Sequence, residues 1–373
     1  MKHPAARSGT PPPLTHLVDA LGGLAKADLL RERPPHPVGG VSFCSNDYLG
    51  LASRVVGGVS AGAGASRLVA GEHPEHRALE GRLAGWLGVE ACLLFTSGYA
   101  ANVGVVSALA DAPEDLILSD ALNHASIVDG CRLSRAEVIV YPHLDLSAVE
   151  GHLRRRRRRR AWVITESYFS MDADSPDLPA LRRLCDEHGA ALIVDEAHAL
   201  GVLGPGGRGL LAASQVQAEV TIGTLGKAFG GGGAFVGGCP ALIAWLWNRA
   251  RTFVFSTGLS PVLARAGREA LEAVEGDPSL REQALERAGD LRGGLARLGH
   301  RVLGYGHIVP WVVGDARAAM TFATQLQREG LAVQAIRPPS VPAGTSRLRL
   351  TASASQSRPD VARLVEAIAR LQP

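Results

Sequence analysis

The sequence predicts an α/β protein with a large, doubly wound, mostly parallel sheet domain, a smaller C-terminal α+β domain and an N-terminal helical arm. Three observations predict it. Five short apolar runs, ACLLF, DLILS, AEVIVY, AWVIT and AALIVD, alternate with helix-compatible segments in the middle of the chain, which is the pattern of buried parallel strands with helical crossovers. At 373 residues the chain is long enough to bury two cores. Beyond a long Ala-, Leu-, Glu- and Arg-rich stretch the pattern changes again, to the strand-like runs VLGYGHIVPWVV and RLRLTA.

Taken in order, Pro-rich residues 1–13 precede an amphipathic segment from Leu14 to Arg33, read as the helical arm, which the PPHP run ends. Helices are expected at Tyr99 to Ala110, Asn123 to Ser134, Leu146 to Arg154 and Leu178 to Gly189, each following one of the apolar runs. Leu263 to Leu298 reads as mostly helical. The expected division is an arm over residues 1–45, the large domain over 46–265 and the small domain over 266–373. There is no internal repeat.

Composition narrows the function. With 46% hydrophobic and 20% charged residues the chain reads as a soluble globular protein. Its formal net charge of +3 is less than the charge of one run, Arg154 to Arg160, so the rest of the chain is mildly acidic. A nucleic-acid binder spreads basic residues over a face, so no nucleic-acid partner is expected and the run reads as a solvated helix end and loop. The five cysteines lack CxxC spacing or a His cluster, which signals neither a metal site nor a disulfide framework. The N-terminus has no signal-type apolar stretch, and no run approaches the ~18 apolar residues of a membrane span. A cytoplasmic location is expected.

The strongest chemical signal is Asp195-Glu196-Ala197-His198, directly after the apolar run ALIV and upstream of Thr224-Leu225-Gly226-Lys227. Pyridoxal phosphate needs a lysine to form a Schiff base and a carboxylate to keep its ring nitrogen protonated, and Lys227 and Asp195 supply them. DEAH is also a helicase box, but that reading requires a GxxxxGK[ST] phosphate loop, and none precedes it. Gly204, Gly206 and Gly209 match GxGxxG without clearly opening a helix, which argues against a dinucleotide site. Ser97, Gly98 and Tyr99 stand at a strand-to-helix turn and read either as a phosphate cup or as a plain turn. His124 opens a helix and is either a ring-stacking imidazole or a cap.

The motifs SNDYLGL, GAGASRLVAG, FTSGYAAN, SDALNHASIVDG, TESYFSMDAD, VDEAHALGVLG, GTLGKAFG and RPPSVPAGTSRLRLTA, in this order, resemble the α-oxoamine synthases from about Leu29 to the C-terminus. The resemblance implies a fold-type I pyridoxal-phosphate-dependent transferase. It implies that Lys227 carries the cofactor and moves the substrate proton, that Asp195 pairs with the ring nitrogen, and that His124 stacks on the ring. His198 and Ser170 would bond near the ring hydroxyl, while Gly98, Tyr99 and Thr224 hold the phosphate with Ser256 or Thr257 of a second subunit. A homodimer with the site at its interface follows. Arg349 would grip the amino-acid carboxylate, for which a guanidinium fork is suited, and Arg31 and Ser340 would bind the acyl substrate. RPPSVPAGTSRLRLT most resembles the branch joining L-alanine to a pimeloyl thioester, on coenzyme A or a carrier protein, in biotin synthesis. The alternative is a sister activity joining glycine to another acyl-CoA. The segment Leu51 to Gly62 is shorter than its family counterpart, and Ser340 stands where threonine is common.

Overall fold

The computed structural model describes residues 15–27, 29–30, 40–156 and 160–371. Arg31, and the middle of the arginine run, lie outside them. The arm helix is Thr15–Lys26 (α1), shorter than the expected segment through Arg33. Leu17, Leu21 and Leu24 recur along it at helical spacing and are all exposed.

The chain next forms Val41–Ser42 (β1) and Pro74–Leu87 (α2), then enters the alternation read from the sequence. Ala91–Phe95 (β2) leads to Gly98–Leu109 (α3), Asp115–Asp120 (β3) to Ala125–Leu133 (α4), and Glu137–Tyr141 (β4) to Leu146–Arg155 (α5). Arg160–Glu166 (β5) and Leu178–Glu187 (α6) follow, then Ala191–Asp195 (β6) and Gly209–Ala213 (α7). Two strands complete the large sheet, Val220–Thr224 (β7) and Ala234–Gly238 (β8). Its order is β2-β8-β7-β6-β5-β3-β4, and only β8 runs antiparallel to its neighbours. Strands β7 and β8 carry no long aliphatic run. Gly223 explains part of this, because a Cβ there would stand 2.3 Å from the Phe235 ring, so close packing selects glycine where β propensity disfavours it.

Successive side chains of the strands face opposite cores. Ile117, Ile164, Ile193 and Ile222 pack with α3 and α4. Leu116, Leu118, Val163, Leu192 and Val194 pack with α5 and α6. Strand β4 departs from the expectation of a buried strand. It is the sheet's outer edge, and Val138 and Val140 are exposed.

After β8 come Pro240–Arg249 (α8), Arg251–Val254 (α9), Pro261–Gly276 (α10) and Ser279–Arg297 (α11). The stretch expected to be mostly helical is so, as two helices. Pro278 lacks the N–H that would continue the first, and Asp277 accepts the Ser279 N–H at 3.0 Å. Ala264, Ala270, Leu271 and Val274 of α10 join the core that holds Trp86 and Phe229, whereas Ala288, Leu291 and Leu295 of α11 join a separate core. That second core is built on Ile308–Gly314 (β9), Ala316–Arg328 (α12), Leu331–Ala332 (β10), Gln334–Ile336 (β11), Ser346–Thr351 (β12) and Arg358–Arg370 (α13). The three-stranded antiparallel sheet runs β11-β12-β9, and β10 pairs in parallel with β1. No described helix is long and apolar enough to cross a membrane.

Candidate active site

Strand ends place the chemistry. Asp195 ends β6, Glu166 ends β5 and Thr224 ends β7, so three polar side chains meet at the carboxyl edge of parallel strands, where open α/β sheets bind ligands. A cleft of 170 Å³ lies there, and Lys227, Asp195, His124, His198, Thr224, Gly98 and Tyr99 all border it. Seven residues singled out from distant motifs are therefore neighbours.

Asp195 is held from two sides. Its Oδ1 accepts the Ala197 N–H at 2.8 Å and its Oδ2 accepts Asn102 Nδ2 at 2.7 Å. Asn102 also donates to Ser126 Oγ at 3.0 Å, which leaves the Ser126 hydroxyl to donate to His124 Nδ1 at 2.7 Å. The Ser126 N–H donates to the same nitrogen at 3.2 Å, capping α4. Nδ1 is thus an acceptor and His124 is neutral, and the backbone N–H of His124 donates to Glu166 Oε1 at 2.7 Å. Burial lowers the His124 pKa, with Asp195 acting the other way. The sequence reading named Asp195 and His124 but not the groups that join them, Asn102, Ser126 and Glu166. Asn102 was reachable from FTSGYAAN, since it lies about one helical turn beyond Gly98 and so on the same face.

Lys227 donates to His198 Nε2 at 2.7 Å. Burial pulls the lysine's pKa below its ordinary range, although the Asp195 and Glu166 carboxylates act the other way. Burial, with the Lys227 charge beside it, also drives His198 far below the usual imidazole value and keeps it neutral. Burial raises Glu166, and the nearby Asp195 charge adds to this. The other ring nitrogen of His198 lies 2.8 Å from the Tyr48 hydroxyl. That hydroxyl donates to Asn46 Oδ1 at 3.0 Å and accepts Arg349 Nη2 at 3.3 Å. His198 Nδ1–H is accordingly a donor to Tyr48, and the Nε2 lone pair faces Lys227.

Arg349 is buried on β12, with Nε donating to the Ser170 carbonyl at 2.6 Å and Nη1 to Asn46 Oδ1 at 3.1 Å. It brings the small sheet's strand against the Lys227–His198 pair. Ser170 meets Arg349 through its backbone, and its side chain does not border the cleft. Ser97 caps α3 by accepting the Ala100 N–H at 3.1 Å. The turn is therefore a true helix start, and Gly98 and Tyr99 present the first N–H groups of α3 beside Thr224. Tyr99 is half exposed, and its hydroxyl donates to Asp129. Ser256 and Thr257 border a separate small pocket with Arg67, away from the Lys227 cleft of their own chain. Ser340 lies in an exposed turn before β12.

The donor set fits pyridoxal phosphate. A lysine of lowered pKa, a carboxylate fixed by Asn102, a neutral imidazole at the cleft and a helix N-terminus for an anion are its requirements. Among the described residues no His, Cys, Asp and Glu cluster could hold a metal ion.

Sheet order and cleft define the class, a fold-type I pyridoxal-phosphate-dependent transferase. Residues 38–368 match the family model of class I and II aminotransferases, and the chain belongs to that family. It is 50% identical to the 8-amino-7-oxononanoate synthase of Anaeromyxobacter dehalogenans over 91% of this chain and 89% of that one. Among solved structures it resembles a serine palmitoyltransferase from S. paucimobilis with bound PLP, with a TM-score of 0.86, 26% identity and coverage of 96% of this chain and 97% of that one. It also resembles the 8-amino-7-oxononanoate synthase of Francisella tularensis, with a TM-score of 0.75, 25% identity and coverage of 89% and 97%. The cofactor is pyridoxal phosphate.

Proposed function

We propose that the chain joins L-alanine to a pimeloyl thioester with loss of carbon dioxide, forming 8-amino-7-oxononanoate and a free thiol, a step of biotin synthesis. The observation that carries this reading is the buried chain Arg349–Tyr48–His198–Lys227, beside the Asp195–Asn102–Ser126–His124 network. It sets a carboxylate-binding group next to a proton-moving amine in one cleft. The 50% identical relative bears the name of that activity.

When bound, pyridoxal phosphate supplies an electron sink that stabilises negative charge at the amino acid's Cα. Lys227 would hold it covalently, and its Nζ would take the Cα proton of the bound amino acid. Burial suits the amine to this, because a lowered pKa leaves more of it unprotonated near neutral pH. His198 orients Nζ through Nε2. Asp195 holds a proton on the ring nitrogen, and Asn102 fixes the carboxylate for that task. The α3 N-terminus and Thr224 take the phosphate. Arg349 orients the amino acid by its carboxylate, and Arg31 and Ser340 serve the acyl chain.

A homodimer completes the site in this reading, with Ser256 and Thr257 reaching the partner's phosphate. Support comes from Phe255, which is 72% exposed directly beside them. A cytoplasmic location is part of the same proposal.

The test is thiol release by cofactor-loaded protein given pimeloyl-CoA with L-alanine, glycine or L-serine, with Lys227→Ala as the blank. Release with L-alanine alone is the expected result. Release with glycine or serine but not alanine would assign a sister activity, and turnover by Lys227→Ala would remove the lysine from its role.

A further inference from the structure

His143, which follows β4, takes no part in the chemistry above, yet it is bonded at both ring nitrogens. Nδ1 donates to Asp120 Oδ1 at 2.8 Å and Nε2 to Asp174 Oδ2 at 3.2 Å. A histidine donates from both nitrogens only as the imidazolium. Burial alone would lower its pKa, but the two carboxylates outweigh it and push the value up to about 9. The backbone around it is equally constrained. Leu144 takes φ +61°, a left-handed conformation rare outside glycine, and its N–H donates to Asp120 Oδ2 at 3.0 Å.

What the imidazolium joins is informative. Asp120 ends β3, and Leu122 N–H donates back to it at 2.8 Å, so it anchors the short turn leading to His124. Asp174 closes the opposite loop, because its carbonyl accepts the Phe169 N–H at 2.9 Å. The His143 ring packs edge-on against Phe169 with centroids 4.5 Å apart. The next residue, Ser170, gives Arg349 its carbonyl at 2.6 Å. Met171 and Asp172 of the same loop are gripped by Arg347 at 2.8 and 2.7 Å. The loop is therefore held from β12 by two arginines and from the large sheet by His143.

We propose that His143 is a positioning residue for the amino-acid substrate: its bridge between Asp120 and Asp174 fixes the Phe169–Asp174 loop, and with it the carbonyl that aims Arg349. The proposal rests on the reading of Arg349 as the carboxylate-binding group. Loss of the bridge leaves Arg349 present, charged and still bonded to Asn46 and Tyr48 but loosens the Ser170 carbonyl that fixes Nε, so substrate affinity falls while chemistry on bound substrate persists.

The experiment titrates L-alanine into cofactor-loaded His143→Gln, Asp174→Ala and the double variant, following the cofactor's absorbance, and measures KM and kcat. His143→Gln is expected to raise the dissociation constant and KM for L-alanine about tenfold, the scale of one charge-assisted hydrogen bond, with kcat at saturation retained. Asp174→Ala should do the same and the double variant no worse, since all three break one bridge. If His143→Gln does not fold, Asp174→Ala decides alone, because that carboxylate is partly exposed. Unchanged L-alanine affinity in these variants, or full additivity of the two, overturns the proposal, as does a fall in thermal stability with affinity intact. Arg349→Gln separates the two readings: if it too binds L-alanine normally, the assignment of Arg349 fails, whereas weak binding there beside normal binding in His143→Gln overturns the positioning role alone.

Discussion

Asn102 shows how much of the site depends on a side chain that does no chemistry. Its amide is the only donor bonded to Asp195 Oδ2 among the described contacts, and it ties that carboxylate to Ser126 and His124. A carboxylate that must stay ionised inside a protein needs such donors. Asn102→Ala should weaken cofactor binding about tenfold, the scale of a hydrogen bond to a charged group. Cofactor release during dialysis, with the far-ultraviolet dichroism unchanged, is the measurement, and undiminished retention would count against the role. Lys227, Asp195, His198 and His124 could be singled out in the sequence because their motifs occur together in one order, and all four border the cleft. Glu166, Asn46 and Tyr48 were not singled out, since a carboxylate, an amide and a phenol become interpretable only when burial and partners are seen.

Among the elements, the loop between β7 and β8 carries Lys227 and is held by backbone contact. Gly230 has φ +62°, and a Cβ there would lie 2.4 Å from Ala52 N and Leu51 C, whereas a Cβ on Gly231 would meet nothing closer than 3.5 Å. Gly230→Ala should therefore cost about 3 kcal/mol or more, while Gly231→Ala stays within about 1 kcal/mol. Urea unfolding of the cofactor-free proteins checks this, and equal midpoints would refute it. The contrast also explains a lapse in the sequence reading. The strands VTIGT and AFVGG that flank this loop were not read from the sequence, because their glycines answer to Phe235 and other close neighbours rather than to strand propensity. Helix limits were read to within a few residues where a cap marks them, as with Asp145 for α5 and Asp177 for α6. The arm helix ends at Lys26, and Leu29 and Leu30 beyond it are not helical.

Over the whole molecule, the ionised bridge at His143 couples stability to pH. Its pKa in the folded protein, about 9, lies above the ordinary 6.5 because the Asp120 and Asp174 carboxylates overcome burial. The folded state then binds the proton more tightly than the unfolded state, so this stabilisation is complete below pH 6.5 and declines as pH rises toward 9. Thermal midpoints of the wild type should fall across that window, and those of His143→Gln should fall less. Parallel profiles would show that the bridge is not the source. The same bridge spans the large sheet and the loop gripped by β12, so its loss should also make the two units less tightly coupled.

The sequence by itself determined the fold class and the cofactor, and named residues that the fold gathers at one cleft, because buried strands must be apolar and pyridoxal phosphate admits few substitutes for a lysine and a carboxylate. Only the tertiary structure decided which groups stand behind them. Arg349 meets Tyr48 from the far end of the chain, Asn102 meets Asp195 from another element, and His143 bridges two loops. Such contacts depend on strand order and on helix and loop placement, which a linear pattern does not encode, whereas polarity and motif chemistry are properties of the residues themselves.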